Sequence, residues 1–472
     1  MESNTRDRDN SEVLHPRWVG ISIGFNEFTF QVIGSIATTN IFYFYEVEIG
    51  LNTWLITLAI SAFTIWNAIN DPLIGHFCDR PFFFTKRWGR RFPWIIIFIF
   101  PAIIFYALVF TPPSYDGVKD QWIIFVWLLL SLLIRDTLSS FATVNADALF
   151  PEKFRNENER RTVSGYINII MYLGFVIGFV IPSLIIEYGE PQSFTTMIWI
   201  MTFIVLIAGI LGIPGVKDDK ETISRYLTGY EEAKLKNTTQ PFFKLFITAF
   251  KSKNFAVFIF LFFSYSVLRA CLLNSAQYGI RFILKMPPEI NIILMGGNLI
   301  GSIITIPIWV KLMKKINDNR KVMIIAAVIF TISAIPMTFL EDVIGWTAAL
   351  FFSGIGIAGM FVAKTPLFAN VIDESVLNTG TRNEGIFNGF YVFALSFSGI
   401  IQSLIFAIVH ELTGFVEGAE TQSPLAIIGI HISMALIPSL IVLVATVAFW
   451  KFYDLTPEKL NKVKNELKRL NL

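Results

Sequence analysis

An all-α membrane protein of about twelve transmembrane helices in two six-helix, pseudo-symmetric bundles is the fold class this sequence predicts, on three observations. Hydrophobic residues make up 54% of the 472-residue chain, charged residues only 16%, and mean hydropathy is +0.59, a balance a soluble chain could not carry without aggregating. Stretches of about 20 largely apolar residues, the length that crosses a ~30 Å hydrocarbon layer, recur along nearly the whole chain. Lys and Arg gather in alternate connections between them, the bias that marks cytoplasmic loops.

Taken in order, the apolar stretches run 18–46, 52–78, 93–111, 121–150, 163–187, 194–214, 255–284, 288–313, 322–340, 344–372, 384–412 and 423–452. None shows the alternation of a barrel strand, so all are read as helices. Residues 1–17 are polar and charged, with no apolar core of a cleaved signal, and the first helix is expected to direct insertion. The connections after the second, fourth, sixth and eighth spans are basic, as in Arg80–Arg91 and Lys153–Arg161, whereas those after odd spans hold essentially Lys119 and Lys285. The expected location is therefore the cell membrane, multi-pass, with both termini cytoplasmic.

Residues 215–254 form the longest polar stretch and divide the chain. The expected organisation is a tail at 1–17, a six-helix bundle at 18–214, a linker at 215–254, a second bundle at 255–452 and an amphipathic tail at 453–472. Two six-span halves around a long connection suggest parallel repeats, each with a nested inverted pair, the layout of a major-facilitator transporter. In the tail, Thr456-Pro-Glu opens a helix whose Leu460, Val463, Leu467 and Leu470 share one face, so it is expected to lie on the membrane surface.

Several function classes find no support. Neither a Gly-x-Ser-x-Gly elbow, a His-Glu-x-x-His pattern nor a nucleotide-binding loop occurs, so no enzyme, ATP drive or cofactor is expected beyond a coupling H⁺ or Na⁺. Cys78 and Cys271 fall within spans, and the four histidines lack metal-ligand spacing and read as ordinary. Topology explains the basic residues, which leaves no call for nucleic acid as a partner. The expected partners are a small-molecule substrate and the bilayer, and a monomer suffices.

Charge inside the spans is costly and marks ion or substrate paths. Glu27, Asp71, Arg135, Asp136, Asp147, Arg269 and Lys364 are the expensive residues, and the acids are expected to balance against the bases. Asp136 is expected to pair with Arg269 or to exchange a proton near it. Thr57, Ser61, Thr64, Asn67 and Asp71 recur every three or four residues along the second span, as do Asp136, Ser140, Thr143 and Asp147 along the fourth. Two such stripes should face each other across the interior. Pro72 is expected to break or kink its helix and free carbonyls beside Asp71. Gln31, Arg269, Asn274, Gln277, Asn298 and Asn388 are candidate substrate ligands, and Trp66 and Tyr391 are candidates to stack on an apolar face of the substrate. Asp79, Arg80, Arg87, Arg90 and Arg91, after the second span, are candidates for a charge-paired gate.

Three segments carry a family resemblance: Asn67–Pro93, with Asn-Asp71-Pro and Arg87-Trp-Gly89-Arg90-Arg91; Leu149-Phe-Pro151-Glu152 followed by Glu159-Arg160-Arg161; and Asp373-Glu374 followed by Gly380-Thr-Arg382-Asn-Glu384-Gly385. Together they resemble the glycoside-pentoside-hexuronide:cation symporters, the melibiose-carrier branch of the major facilitator superfamily. The resemblance implies alternating-access symport of a sugar or glycoside driven by H⁺ or Na⁺, with Asp71, Asn67, Thr143 and Asp136 at the cation site. Lysolipid carriers are similar to the same family, which makes an amphiphile carrier the alternative. The sodium-coupled members carry two aspartates on helix 2, and here the first is Asn67. The family's sugar-binding aspartates fall on Gln31 and Thr143 and its helix 11 lysine on Ser396, so galactoside specificity does not carry over. Burial disfavours a charged carboxyl, which leaves H⁺ at Asp71 or Asp136 as open as Na⁺.

Overall fold

In hydrocarbon every backbone N–H and C=O needs a partner in its own segment, and this chain meets that demand with helices. The structure is a computed structural model that describes residues 14–236, 252–379 and 384–469, and no strand occurs among them. Gly380 and Arg382 of the third motif, the start of the N-terminal tail, residues 237–251 of the connection and Leu470 lie outside the described residues.

The first compact unit comprises Met1–Phe44 and Ile65–Thr239. It contains α1 (Arg17–Tyr43), the second half of α2 (Thr53–Cys78), α3 (Phe92–Val109), α4 (Gln121–Lys153), α5 (Glu157–Ile185), α6 (Pro191–Val216) and α7 (Lys220–Lys236). The second unit, Tyr45–Thr64 and Gln240–Leu472, holds the first half of α2. Its other helices are α8 (Lys253–Asn274), α9 (Ile290–Ile316), α10 (Asn319–Ala334), α11 (Val343–Thr379), α12 (Glu384–Ser396), α13 (Ser398–Thr413), α14 (Pro424–His431), α15 (Ile437–Phe452) and α16 (Pro457–Arg469).

Among the described residues eleven helical stretches are long and apolar enough to cross a bilayer. The remaining long helix, α1, is 27 residues, or ~40 Å at 1.5 Å per residue. Its polar residues face inward: Asn26, Thr29, Ser35, Thr39 and Asn40 are all buried. Thr29, Ser35 and Thr39 each return a hydroxyl proton to the carbonyl four residues back, which satisfies them without water. Helix α1 packs between α5 and α6, and small residues allow the approach: a Cβ at Gly215 would stand 2.2 Å from the Ile23 nitrogen. Helix α2 runs through Pro72 as one helix, so of the expected break or kink the break does not occur.

In the second unit α9 and α11 are equally close. A Cβ at Gly354 would stand 2.1 Å from the Asn298 carbonyl oxygen, and the Asn298 amide donates to the Leu350 carbonyl at 3.0 Å. The C-terminal helix α16 buries Val463 and Leu467 and packs on α11. Lys459 pins it by donating to Glu374 at 3.0 Å and to Asp454 at 2.7 Å. Its apolar face is thus used against protein, where the pattern alone suggested a lipid surface.

Residues 45–64 leave the first unit and are anchored in the second by a buried carboxylate. Glu46 lies on a π-helical turn, Phe44–Glu48, and is fully buried. It accepts hydrogen bonds from Thr53 Oγ1 at 2.5 Å, from His410 Nδ1 at 2.9 Å and from the Tyr278 hydroxyl. Arg281, on a second π-helical turn (Gly279–Leu284), donates to Glu48 at 2.7 Å, and the Gly418 amide donates to the Glu46 carbonyl at 3.0 Å. His410, one of the histidines the sequence left as ordinary, is therefore a structural donor to a buried acid.

Candidate functional site: a run of acids and an arginine network

Within the first unit only the C-terminal part of the expected α2 stripe, Asn67 and Asp71, lies against α4, while Thr57 of the other unit donates to the Ser403 carbonyl. Asn67 and Asn70, three residues apart and so on one face, both donate to Asp136, at 3.0 Å to Oδ1 and 3.4 Å to Oδ2. Asp136 is 2% exposed. The Arg135 guanidinium stands 3.8 Å from Asp136 and 5.8 Å from the Tyr106 ring centroid. The cation that meets Asp136 inside its own unit is thus its sequence neighbour, while the expected partner, Arg269, belongs to the other unit.

Asp71 lies one turn beyond Asn67 with Ser140 of α4 as its polar neighbour, and its Oδ1 is buried without a hydrogen-bond partner among the described residues. Its charge acts on both Asp136 and Asp147, and Asp147 in turn acts on Glu27. Four carboxyls therefore form a run, Glu27, Asp147, Asp71 and Asp136, with Arg135 at one end. Thr143 turns its hydroxyl onto its own helix, donating to the Ser139 carbonyl at 3.1 Å.

Beyond the C-terminal end of α2 the gate candidates separate into two groups. Arg91 is 5% exposed and donates to Asp79 Oδ1 at 2.9 Å, to Glu152 Oε1 at 3.2 Å and to Asn145 Oδ1 at 3.2 Å. Arg90 bonds Glu152, reaches Asp79 at 3.4 Å and lies over the Tyr226 ring at 4.2 Å. Arg80 and Arg87 are exposed and stand outside this network, Arg80 on His76 at 3.2 Å and Arg87 beside Trp88. Gly89, with φ 91°, is required here, because a Cβ would lie 1.9 Å from Asp218 Oδ2. That carboxylate accepts the amide protons of Arg91 and Phe92, at 3.1 and 3.2 Å, and so starts α3.

Sequence reasoning missed Asn70, Glu152, Asn145 and Asp218 as partners. Glu152 could have been found, since its motif follows the fourth span as the arginines follow the second. Nothing in the pattern pointed to His15, which precedes α1 and lies between Glu159 at 3.1 Å and Asp219 at 3.2 Å. The hydrogen bond to Asp219, with Glu159 adding to it, holds the His15 imidazole above its ordinary range against burial and Lys153.

The substrate candidates are placed unevenly. In the first unit Gln31 is half-buried on α1, and Trp66, 39% exposed, donates its indole proton to Thr137 at 2.9 Å. In the second, Asn298 and Asn274 spend their amides on the Leu350 and Ala270 carbonyls. Gln277 is buried, Asn388 is exposed, and Tyr391 is buried with Lys364 Nζ 4.3 Å from its ring centroid. Arg269 is exposed on α8.

A multi-pass helical protein with buried acids, paired arginines at a helix end and two compact units has the fold of a major-facilitator membrane transporter, and solved structures agree. The nucleoside transporter NupG matches with a TM-score of 0.63 over 92% of this chain and 99% of that one, at 14% identity. The D-xylose-proton symporter matches with 0.60 over 92% and 97%, also at 14% identity. The sequence profile of the MFS/sugar transport protein family matches residues 22–457, and the chain belongs to that family. It is similar to the glucuronide carrier protein homolog of Escherichia coli (strain K12), 24% identical over 85% of both chains. It is also similar to the sodium-dependent lysophosphatidylcholine symporter 1 of Xenopus tropicalis, 22% identical over 85% of this chain and 80% of that one.

Proposed function

We propose that this protein is a secondary active transporter that moves a sugar or glycoside by alternating access, with H⁺ or Na⁺ bound at Asp71 and Asp136. The observation that carries the reading is the Asp71 carboxyl, whose Oδ1 is buried with no hydrogen-bond partner among the described residues. A carboxylate in that setting calls for a bound cation or a proton, because an unpaired buried charge is strongly disfavoured. Asp136 has three polar neighbours of its own, Asn67, Asn70 and Arg135. Asp71 Oδ1 has no such partner among the described residues, which makes Asp71 the member of the pair open to an exchanging ion. Asn67, where sodium-coupled members carry an acid, serves here as a donor to Asp136.

The basic-loop end is assigned to the cytoplasm, where the Asp79, Arg90, Arg91 and Glu152 network braces the inner side. The alternative cargo is a lysolipid, supported by the similarity to lysophosphatidylcholine symporters. Uptake of radiolabelled mono- and disaccharides into proteoliposomes under imposed H⁺ or Na⁺ gradients tests the reading. Gradient-dependent accumulation of a sugar is expected. Transport of lysolipid with no sugar accumulation under either gradient would replace the first cargo with the second.

A further inference from the structure

In the first unit Arg91 has Asp79 beside it and Arg135 has Asp136, while buried Lys153 donates to the Gly215 and Lys217 carbonyls. In the second unit, the ion pairs among the described residues join Arg281 to Glu48, His410 to Glu46, Lys321 to Asp318, Lys459 to Glu374 and Asp454, and Arg469 to Glu466. Lys364 and Arg269 are in none of them. Both lie within spans, where a cation without a counter-charge is expensive unless water or a ligand reaches it.

Two tyrosines connect these cations. Lys364 Nζ stands 4.3 Å from the Tyr391 ring centroid, close enough for a cation–π contact to offset part of its burial. Arg269 lies one helical turn from Tyr265 on α8, and the Phe262 ring lies beside both Tyr265 and Tyr391. Tyr265 is 5% exposed, and its hydroxyl is buried with no hydrogen-bond partner among the described residues. The rings are held by phenylalanines: Phe330 is 5.2 Å from Tyr265, and Phe262 is 6.2 Å from Tyr265 and 5.8 Å from Tyr391. Lys364, Arg269 and the unused Tyr265 hydroxyl thus border one aromatic cluster, and among the described residues neither cation is paired with a carboxylate. The exposure of Arg269 argues for an aqueous approach, since a guanidinium does not face hydrocarbon at this depth.

We infer that Lys364, Arg269, Tyr265 and Tyr391 form a binding site for an anionic group of the transported molecule, a carboxylate or a phosphate. The inference rests on the transporter reading and deepens it by giving the cargo a charge. The guanidinium and ammonium supply charge-assisted hydrogen bonds, and the phenol supplies a third donor that needs a partner once buried. A carboxylate would come from a sugar acid and a phosphate from a lysolipid head.

Binding to the purified full-length protein, measured by isothermal titration, separates these. The probes are phenyl β-D-glucuronide against phenyl β-D-glucoside, and lysophosphatidate against monoacylglycerol, so each pair differs in the anionic group. In one pair the anionic member is expected to bind about tenfold or more tightly, the scale of one strong charged contact. Lys364→Gln and Arg269→Gln should each bring the ratio of the two affinities close to unity, whereas Lys364→Arg, which keeps the charge, should retain the preference and serve as the folding control. A preference confined to the lipid pair sustains the inference and removes the sugar reading. Equal affinity within both pairs, or a preference that survives both glutamine variants, overturns the inference, and gradient-driven uptake of a neutral sugar would then leave the transporter reading standing without it.

Discussion

The two ends of α2 are held by charge in opposite ways. At the N-terminal end, in the second unit, the Thr53 amide donates to Glu417 at 3.2 Å and the Thr53 hydroxyl to Glu46, so carboxylates sit where the helix dipole is positive. At the C-terminal end, in the first unit, Arg91 and Arg90 gather around Asp79, so cations sit where the dipole is negative. The first end is closed: Glu46 is fully buried and is satisfied by two hydroxyls and an imidazole. The other is open to solvent on one side, since the Asp79 side chain is 56% exposed. Hydrogen bonds to a dry acid resist salt and are costly to lose, while half-exposed ion pairs are screened and release easily. Asp71 lies toward the end held by the screened ion pairs.

The largest effect should follow from Glu46→Ala, which strands the buried Thr53, Tyr278 and His410 donors. A loss of about 3 kcal/mol in thermal unfolding is expected, on the scale of several unsatisfied buried groups, together with faster amide exchange across 45–53. Equal exchange in variant and native protein would mean that the carboxylate does not anchor this segment. Arg91→Met should cost less, about 2 kcal/mol, because Asp79 can regain water. Its cost should shrink as salt rises to about 0.5 M, where screening acts over a few ångströms. A salt-independent loss would contradict the contrast between the two ends.

A smaller effect is expected where the chain enters α1. The His15 imidazole is held above its ordinary range chiefly by Asp219. A group with a raised folded pKa contributes fully below its unfolded value, about 6.5, and loses that contribution as pH climbs through the folded one. Asp219 is itself opposed by burial but held low by His15 and Thr222, so it stays ionised down to acid pH. Protection of the His15 amide, which donates to Glu159 at 2.7 Å, should therefore be firm near pH 6 and decline in mildly alkaline solution beyond the intrinsic pH effect. In His15→Gln that decline should vanish, and its persistence would assign it to another group.

The helices were legible because length and apolarity suffice to place a span: the predicted 121–150 and 255–284 fall within stretches observed at Gln121–Lys153 and Lys253–Leu284. The α2–α4 meeting was legible in part, since periodicity put Asn67, Asp71, Asp136 and Ser140 on facing stripes. Periodicity could not show that Asn70 also turns to Asp136, or that Arg135 supplies the nearby charge, because both depend on how two helices rotate against each other. The second unit was harder to read. Glu46 stood at the edge of an apolar run, and its donors Tyr278 and His410 are more than 200 and 300 residues away. Likewise, Asn298 looked like a ligand by polarity, and only helix packing shows its amide used on Leu350.

The most direct test of the account separates coupling from carriage at Asp71. In proteoliposomes, Asp71→Asn should abolish gradient-driven accumulation of the substrate while exchange of substrate at equal concentrations on both sides continues, since the amide fills the same space but binds no cation. Accumulation by Asp71→Asn at the native level, under the same gradient, would contradict the assignment of the coupling ion to this buried acid.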